Sequence, residues 1–108
     1  VDASLRSIGL PLARHHLFLC PGPECCSSPE GSSSWLHLKL RLKELGIPAL
    51  RTKAACLRVC GNGPILLIYP DGIWYERMTP ERIDRVLQEH LIQGHPVAEW
   101  IIARHPLS

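Results

Sequence analysis

Five cysteines, arranged as one group of three and one pair, are the residues of this 108-residue chain that packing explains least well. Cys20 is followed after four residues by the adjacent Cys25 and Cys26, and Cys56 is separated from Cys60 by three residues. Thiolates are soft ligands and nucleophiles, so clustered cysteines point to a metal centre or to redox chemistry. An odd number leaves one thiol outside any closed disulfide framework, which argues for ligands over staples. Four thiolates satisfy two iron ions bridged by two sulfides, each iron roughly tetrahedral. Four thiolates also close a structural zinc site, and ligand type does not separate the two. A thiol-disulfide oxidoreductase using Cys25 and Cys26, or Cys56 and Cys60, is the third reading. It ranks last, because vicinal cysteines make an awkward disulfide and the chain contains no Cys-x-x-Cys.

The elements that must position these thiols are readable from punctuation and period. Residues 15–19 are short and mostly apolar, as a central strand buried on both faces requires. Pro21, Gly22 and Pro23 stop that strand, so residues 20–31 are expected as a loop carrying three thiols. Ser32, Ser33 and Ser34 offer hydroxyls to cap a helix whose apolar residues Trp35, Leu36, Leu38, Leu42 and Leu45 recur at spacings of three and four. Leu40 widens that stripe toward a sheet, and Gly46 ends it. A second strand over residues 49–53 leads to Cys56, and the second cysteine pair runs into a Gly61-Asn62-Gly63-Pro64 bend. Residues 65–69 and 73–77 flank Pro70-Asp71-Gly72 as a hairpin. Thr79, Pro80 and Glu81 begin a helix with Ile83, Val86, Leu87 and Leu91 on one face, ending near Gly94. Val97, Trp100 and Ile101 belong to a last short helix or turn. Strand, helix, strand, hairpin and helix describe an α/β domain over residues 15–104, with a four-stranded mixed sheet and flanking helices; residues 1–14 form a lead-in, irregular or briefly helical.

Other functions are disfavoured by composition. Apolar residues make up 45% and charged residues 20%, which describes a globular chain able to build a core at this length. A net charge of +2, with basic residues scattered and not interleaved with aromatics, gives no reason to expect nucleic acid binding. The longest apolar run, residues 65–69, ends at a proline, so no membrane insertion is expected, and the first residues do not read as a secretory signal. A cytoplasmic location follows as an expectation. No nucleophile elbow, phosphate loop or paired carboxylates suggest an enzyme. His15, His16, His90 and His95 are not set beside cysteines at a spacing that suits shared ligation, and Trp35, Trp74, Trp100, Tyr69 and Tyr75 read as core or hairpin residues.

The order of the motifs is itself informative. Phe-Leu-Cys, a loop ending in Cys-Cys, a Leu-Lys helix, Lys-Ala-Ala-Cys-Leu-Arg-Val-Cys-Gly-Asn-Gly-Pro, Ile-Tyr-Pro-Asp-Gly-Ile-Trp-Tyr, Thr-Pro-Glu-Arg-Ile-Asp-Arg-Val-Leu-Gln-Glu-His-Leu and Gly-His-Pro-Val-Ala-Glu-Trp follow one another from residue 17 to 102. In that order the chain resembles the thioredoxin-like [2Fe-2S] ferredoxins, relatives of the 24 kDa-type subunit of respiratory NADH dehydrogenase. The resemblance implies a thioredoxin-like fold and a one-electron carrier, with protein redox partners and often a homodimer. It assigns Cys20, Cys56 and Cys60 as cluster ligands and favours Cys26 as the fourth, with Cys25 as the alternative. Backbone N–H groups of the 61–63 bend are then placed to donate to cluster sulfurs. Arg51, Lys53 and Arg58, singly ordinary surface charges, together favour the reduced state and a docking partner.

Overall fold

Strand β1 (His15–Cys20) pairs on both sides and ends at Cys20. The computed structural model describes residues 2–7, 12–22, 27–54, 57 and 61–105. β1 lies parallel to β2 (Ala49–Lys53) and antiparallel to β3 (Ile65–Tyr69), and β4 (Ile73–Tyr75) and β5 (Ile101–Arg104) complete the order β2-β1-β3-β4-β5. The sheet thus has five strands, not four. Ile101, read above as part of a last short helix or turn, follows a single 3₁₀ turn (Ala98–Trp100) and with Ile102 extends along β4. β-Branched residues suit an extended backbone, and pairing satisfies the row of polar groups that β4 would otherwise present. β4 ends at Tyr75, short of the expected residue 77. Its register with β5 shifts between Trp74 and Tyr75, and Arg77 then turns away at φ 50°.

Helix α1 (Asp2–Ser7) occupies the lead-in. Helix α2 (Ser28–Leu45) starts a turn earlier than the serines at 32–34 suggest, so residues 28–31 are helical and not loop. The reason is a capping box: the Ser27 hydroxyl accepts from the Glu30 N–H, while the Glu30 carboxylate accepts from the Ser27 N–H. Pro29 sits in the first turn, where its missing N–H has no cost. Ser34 is then free to turn inward, and its hydroxyl donates to the Met78 carbonyl at 2.6 Å. Gly46 closes the helix at φ 64°. Helix α3 (Pro80–Val86) begins at the expected Thr79 cap and continues as a π-helix over Leu87–Ile92.

Alternation along the strands separates two faces. Leu17 and Leu19 of β1, Leu66 and Ile68 of β3, and Ile73 and Tyr75 of β4 are buried together against Leu38 and Leu42 of α2 and Ile83, Val86 and Leu87. Each such side chain contributes roughly 1.5–3 kcal/mol on burial. The opposite phase of the same strands carries Phe18, Cys20, Ile65, Leu67 and Trp74. Cys20 is therefore on the face away from the main helical core.

Candidate metal centre

Cys20 is the last residue of β1, paired in register with the first residue of β3, Ile65, and is 3% exposed. Leu57 and Trp74 pack around these two. Because β1 and β2 run the same way and β3 runs back, the ends of β1 and β2 and the start of β3 meet at one end of the sheet. The chain leaving β2 stays beside Cys20, since the Ala54 N–H donates to the Leu19 carbonyl at 2.9 Å. Leu57 then returns to pack on Cys20 and Ile65. Of the expected ligands, the structure locates Cys20. Cys25, Cys26, Cys56 and Cys60 lie outside the described residues, as does Arg58.

Two further features hold this end in shape. The backbone of Pro21, directly after Cys20, lies against Gly31 in the first turn of α2. A Cβ on Gly31 would stand 1.5 Å from the Pro21 carbonyl oxygen, so glycine is required there for space. The bend before β3 uses two left-handed residues, Gly61 at φ 115° and Asn62 at φ 54°. It is braced by the exit of β4: the Arg77 N–H donates to the Asn62 carbonyl at 2.6 Å, the Asn62 amide donates to Glu76 at 3.2 Å, and the Met78 N–H donates to the Pro64 carbonyl at 2.9 Å. Arg51 and Lys53 are exposed on β2, with the Lys53 ammonium 5.9 Å from the centre of the Trp35 ring.

At the other end of the sheet is a polar cluster that sequence reasoning did not single out. The Val97 N–H donates to the Tyr75 hydroxyl at 3.0 Å, that hydroxyl lies 2.8 Å from His90 Nδ1, and His90 Nε2 lies 2.5 Å from an Asp71 oxygen. One chain of donors satisfies every atom: Val97 N–H to Tyr75 oxygen, Tyr75 O–H to Nδ1, Nε2–H to Asp71. Both Tyr75 and His90 are buried, so the arrangement ties the hairpin turn to the π-helix and keeps the ring away from water. Burial pushes the Tyr75 phenol above its usual range, with the Val97 N–H acting against it. His15, 3.8 Å from Asp71, is held below its ordinary value by desolvation, with Asp71 acting against it. The available signal was Asp71 and His90 themselves, far apart in sequence and joined only by the fold. Among the described residues, no three His, Cys, Asp or Glu side chains are grouped to hold a metal ion.

No protein-family model matches the chain. It is 27% identical over 99 residues to a 2Fe-2S ferredoxin of Aquifex aeolicus, covering 82% of this chain and 89% of that protein. A 2Fe-2S ferredoxin of Clostridium pasteurianum is 24% identical over 93 residues, 78% of this chain and 91% of the relative. The solved structure of a thioredoxin-like [2Fe-2S] ferredoxin from Aquifex aeolicus superposes with a TM-score of 0.76 at 25% identity, over 88% of this chain and 96% of that one. In sequence and in fold the chain is thus similar to the thioredoxin-like [2Fe-2S] ferredoxins. In this chain, the five-stranded sheet and the helices α2 and α3 supply the α/β frame, and Cys20 stands where β1, β2 and β3 meet. No helix among the described residues is long and apolar enough to cross a membrane.

Proposed function

We propose that Cys20, Cys26, Cys56 and Cys60 hold a [2Fe-2S] cluster with which the chain carries single electrons between protein partners, with Cys25 as the alternative second ligand. The carrier function and the cluster accord with its ferredoxin relatives. The observation that carries the ligand assignment is the setting of Cys20. It is a buried thiol at a strand end, with Leu57 packed on it, and Cys56 is the residue immediately before Leu57. Cys60 immediately precedes Gly61, whose left-handed backbone starts the braced bend into β3. Soft thiolates at a largely apolar sheet end fit an iron–sulfur cluster, because exclusion of water protects the sulfide bridges and sets the potential.

When bound, the cluster supplies a site that takes up and releases one electron. The chain's own part is to fix the thiols. β1 holds Cys20, the Ala54 to Leu19 hydrogen bond keeps the exit of β2 beside it, and Gly31 gives the Pro21 backbone room against α2. The chain has no substrate of its own in this reading. It acts in the cytoplasm, and homodimerisation is the family expectation that sedimentation checks. β5 covers the hairpin, so β4 presents no free edge for a second copy.

Iron and acid-labile sulfide assays on anaerobically purified protein test the proposal, together with Cys25→Ser and Cys26→Ser variants. Iron and sulfide at about two each per chain are expected. Loss or change of the visible bands is expected in Cys26→Ser and not in Cys25→Ser. The reverse moves the ligand to Cys25, and one zinc per chain without sulfide refutes the cluster.

A further inference from the structure

The groove between α2 and the edge strand β2 is a surface feature that the cluster reading leaves unused. Residues 49, 51 and 53 of β2 share the sheet face that carries α2, because they stand in register with His15, Leu17 and Leu19. Lys39 and Lys43 reach over the same gap from the helix. A cavity of about 560 Å³ is lined there by Leu36, Lys39, Leu40, Lys43, Ile47 and Arg51, among others. Two smaller cavities adjoin it, one around Trp35, Lys39 and Arg51, the other around Pro21, Gly22, Trp35 and Lys53. Through the last, the groove runs up to the residues that follow Cys20.

Two properties set this surface apart. Leu36 and Leu40 are 62% and 53% exposed, among the most exposed large apolar residues described. The cavities contain four cationic side chains and no carboxylate among their lining residues. Acidic groups on this side of the fold are engaged elsewhere: Asp84 and Glu44 pair with Arg41, and Asp84 also bonds His37, all toward α3. Among the described residues, Lys39, Lys43, Arg51 and Lys53 have no acidic partner, and the Lys53 ammonium lies over the Trp35 ring. A charged edge strand alone resists edge-to-edge pairing. It does not explain two bare leucines at the centre of a basic rim, which is the make-up of a docking patch with an apolar middle and a charged border.

We propose that the α2–β2 groove is the docking surface for an acidic redox protein, which seats an apolar contact on Leu36 and Leu40 and carboxylates on Lys39, Lys43, Arg51 and Lys53. This rests on the electron-carrier reading above and names the chemistry of its partner. Charge complementarity selects the occupant. A second copy of the chain would bring the same cations face to face, and like charges at contact distance repel. Docking here sets the partner beside the Cys20 loop, at the end of the sheet where electrons leave.

The test uses one haem protein in two charge states: cytochrome c, whose surface is basic, and its succinylated form, whose surface is acidic. Backbone amide NMR of oxidised protein reads binding, and stopped-flow oxidation of the reduced protein reads electron transfer. The acidic probe is expected to shift amides over residues 36–43 and 49–53. Its rate is expected to fall by on the order of tenfold or more as ionic strength rises from low to physiological, the native probe showing the opposite trend. In the Lys39→Glu/Arg51→Glu/Lys53→Glu variant the two probes exchange behaviour. Leu36→Ser/Leu40→Ser weakens the acidic probe without altering the salt trend. Equal, salt-independent rates for both probes, or shifts centred elsewhere, overturn the proposal. Shifts of these amides with an oligonucleotide but not with the acidic protein overturn it in favour of nucleic acid, and shifts with protein concentration alone overturn it in favour of a second copy. A preparation without iron that still binds the acidic probe through these residues sinks the cluster and not the groove; an iron-loaded one that ignores the probe sinks the groove alone.

Discussion

Replacing Gly31 by alanine is the smallest change that reaches the cysteine end without touching a thiol. On a free helix it stabilises by roughly 0.5–1 kcal/mol, because glycine is the more costly residue to order. Here the added Cβ stands 1.5 Å from the Pro21 oxygen and 2.2 Å from its carbonyl carbon. Ordinary contact is near 3.5 Å, so the Pro21 peptide must retreat by about 2 Å. The obstacle is backbone, one residue from Cys20, and cannot be relieved by a rotamer change. Overpacking of this kind costs about 1–3 kcal/mol, which outweighs the propensity gain. A net loss of about 1–2 kcal/mol lowers Tm by roughly 4–16 °C for a domain of this size. Thermal and urea unfolding of the loaded protein read the stability, and the visible spectrum reads the cluster, whose bands are expected to shift or bleach faster in air. Unchanged or raised stability with an unaltered spectrum would refute the reasoning, since the first loop would then not depend on its seat against α2.

Other perturbations separate the two ends of the sheet. Tyr75→Phe leaves the Val97 N–H and His90 Nδ1 without their common partner, and urea unfolding is expected to show a loss of roughly 2–4 kcal/mol with the visible spectrum unchanged. Since the folded Tyr75 phenol is raised above its ordinary 10.0, its contribution is full below that value and is lost as pH climbs through the folded one; the alkaline fall in stability should shrink in the same variant. His15 and His16 are both held below 6.5, so their contribution is full above that pH and is lost as pH falls toward their folded values. A denaturation series from pH 8 to 5 should show this decline, smaller in His15→Gln. Thr79→Ala removes the hydroxyl that accepts the Arg82 N–H and is expected to cost about 1 kcal/mol by urea unfolding.

Where local chemistry decides the structure, the sequence was enough to find it. Thr79-Pro80-Glu81 starts α3, Gly46 ends α2, and the Pro70-Asp71-Gly72 turn joins β3 and β4, each through residues that have few other uses. The misjudged start of α2 has the same kind of cause: Ser27 and Glu30 form a better cap than three consecutive serines, and Pro29 reads as a loop residue unless that cap is noticed. β5 was missed because its pairing partner is more than two dozen residues away, and Ile101 and Ile102 alone suit a helix face as well as a strand. Cys20 as a strand-end thiol was legible from the proline that follows it. The contact of Pro21 with Gly31, and the joining of Asp71, Tyr75 and His90, depend on how elements are placed against each other and leave no local signature.

The most direct test of the carrier assignment is a reductive titration of the purified, iron-loaded chain under anaerobic conditions, followed by its visible bands and by electron paramagnetic resonance. A [2Fe-2S] carrier takes up about one electron per chain, bleaches in step with that uptake and gives a paramagnetic reduced state. Uptake of about two electrons per chain with no such signal would mark a dithiol couple, no uptake would mark a zinc or structural site, and either result would contradict the account.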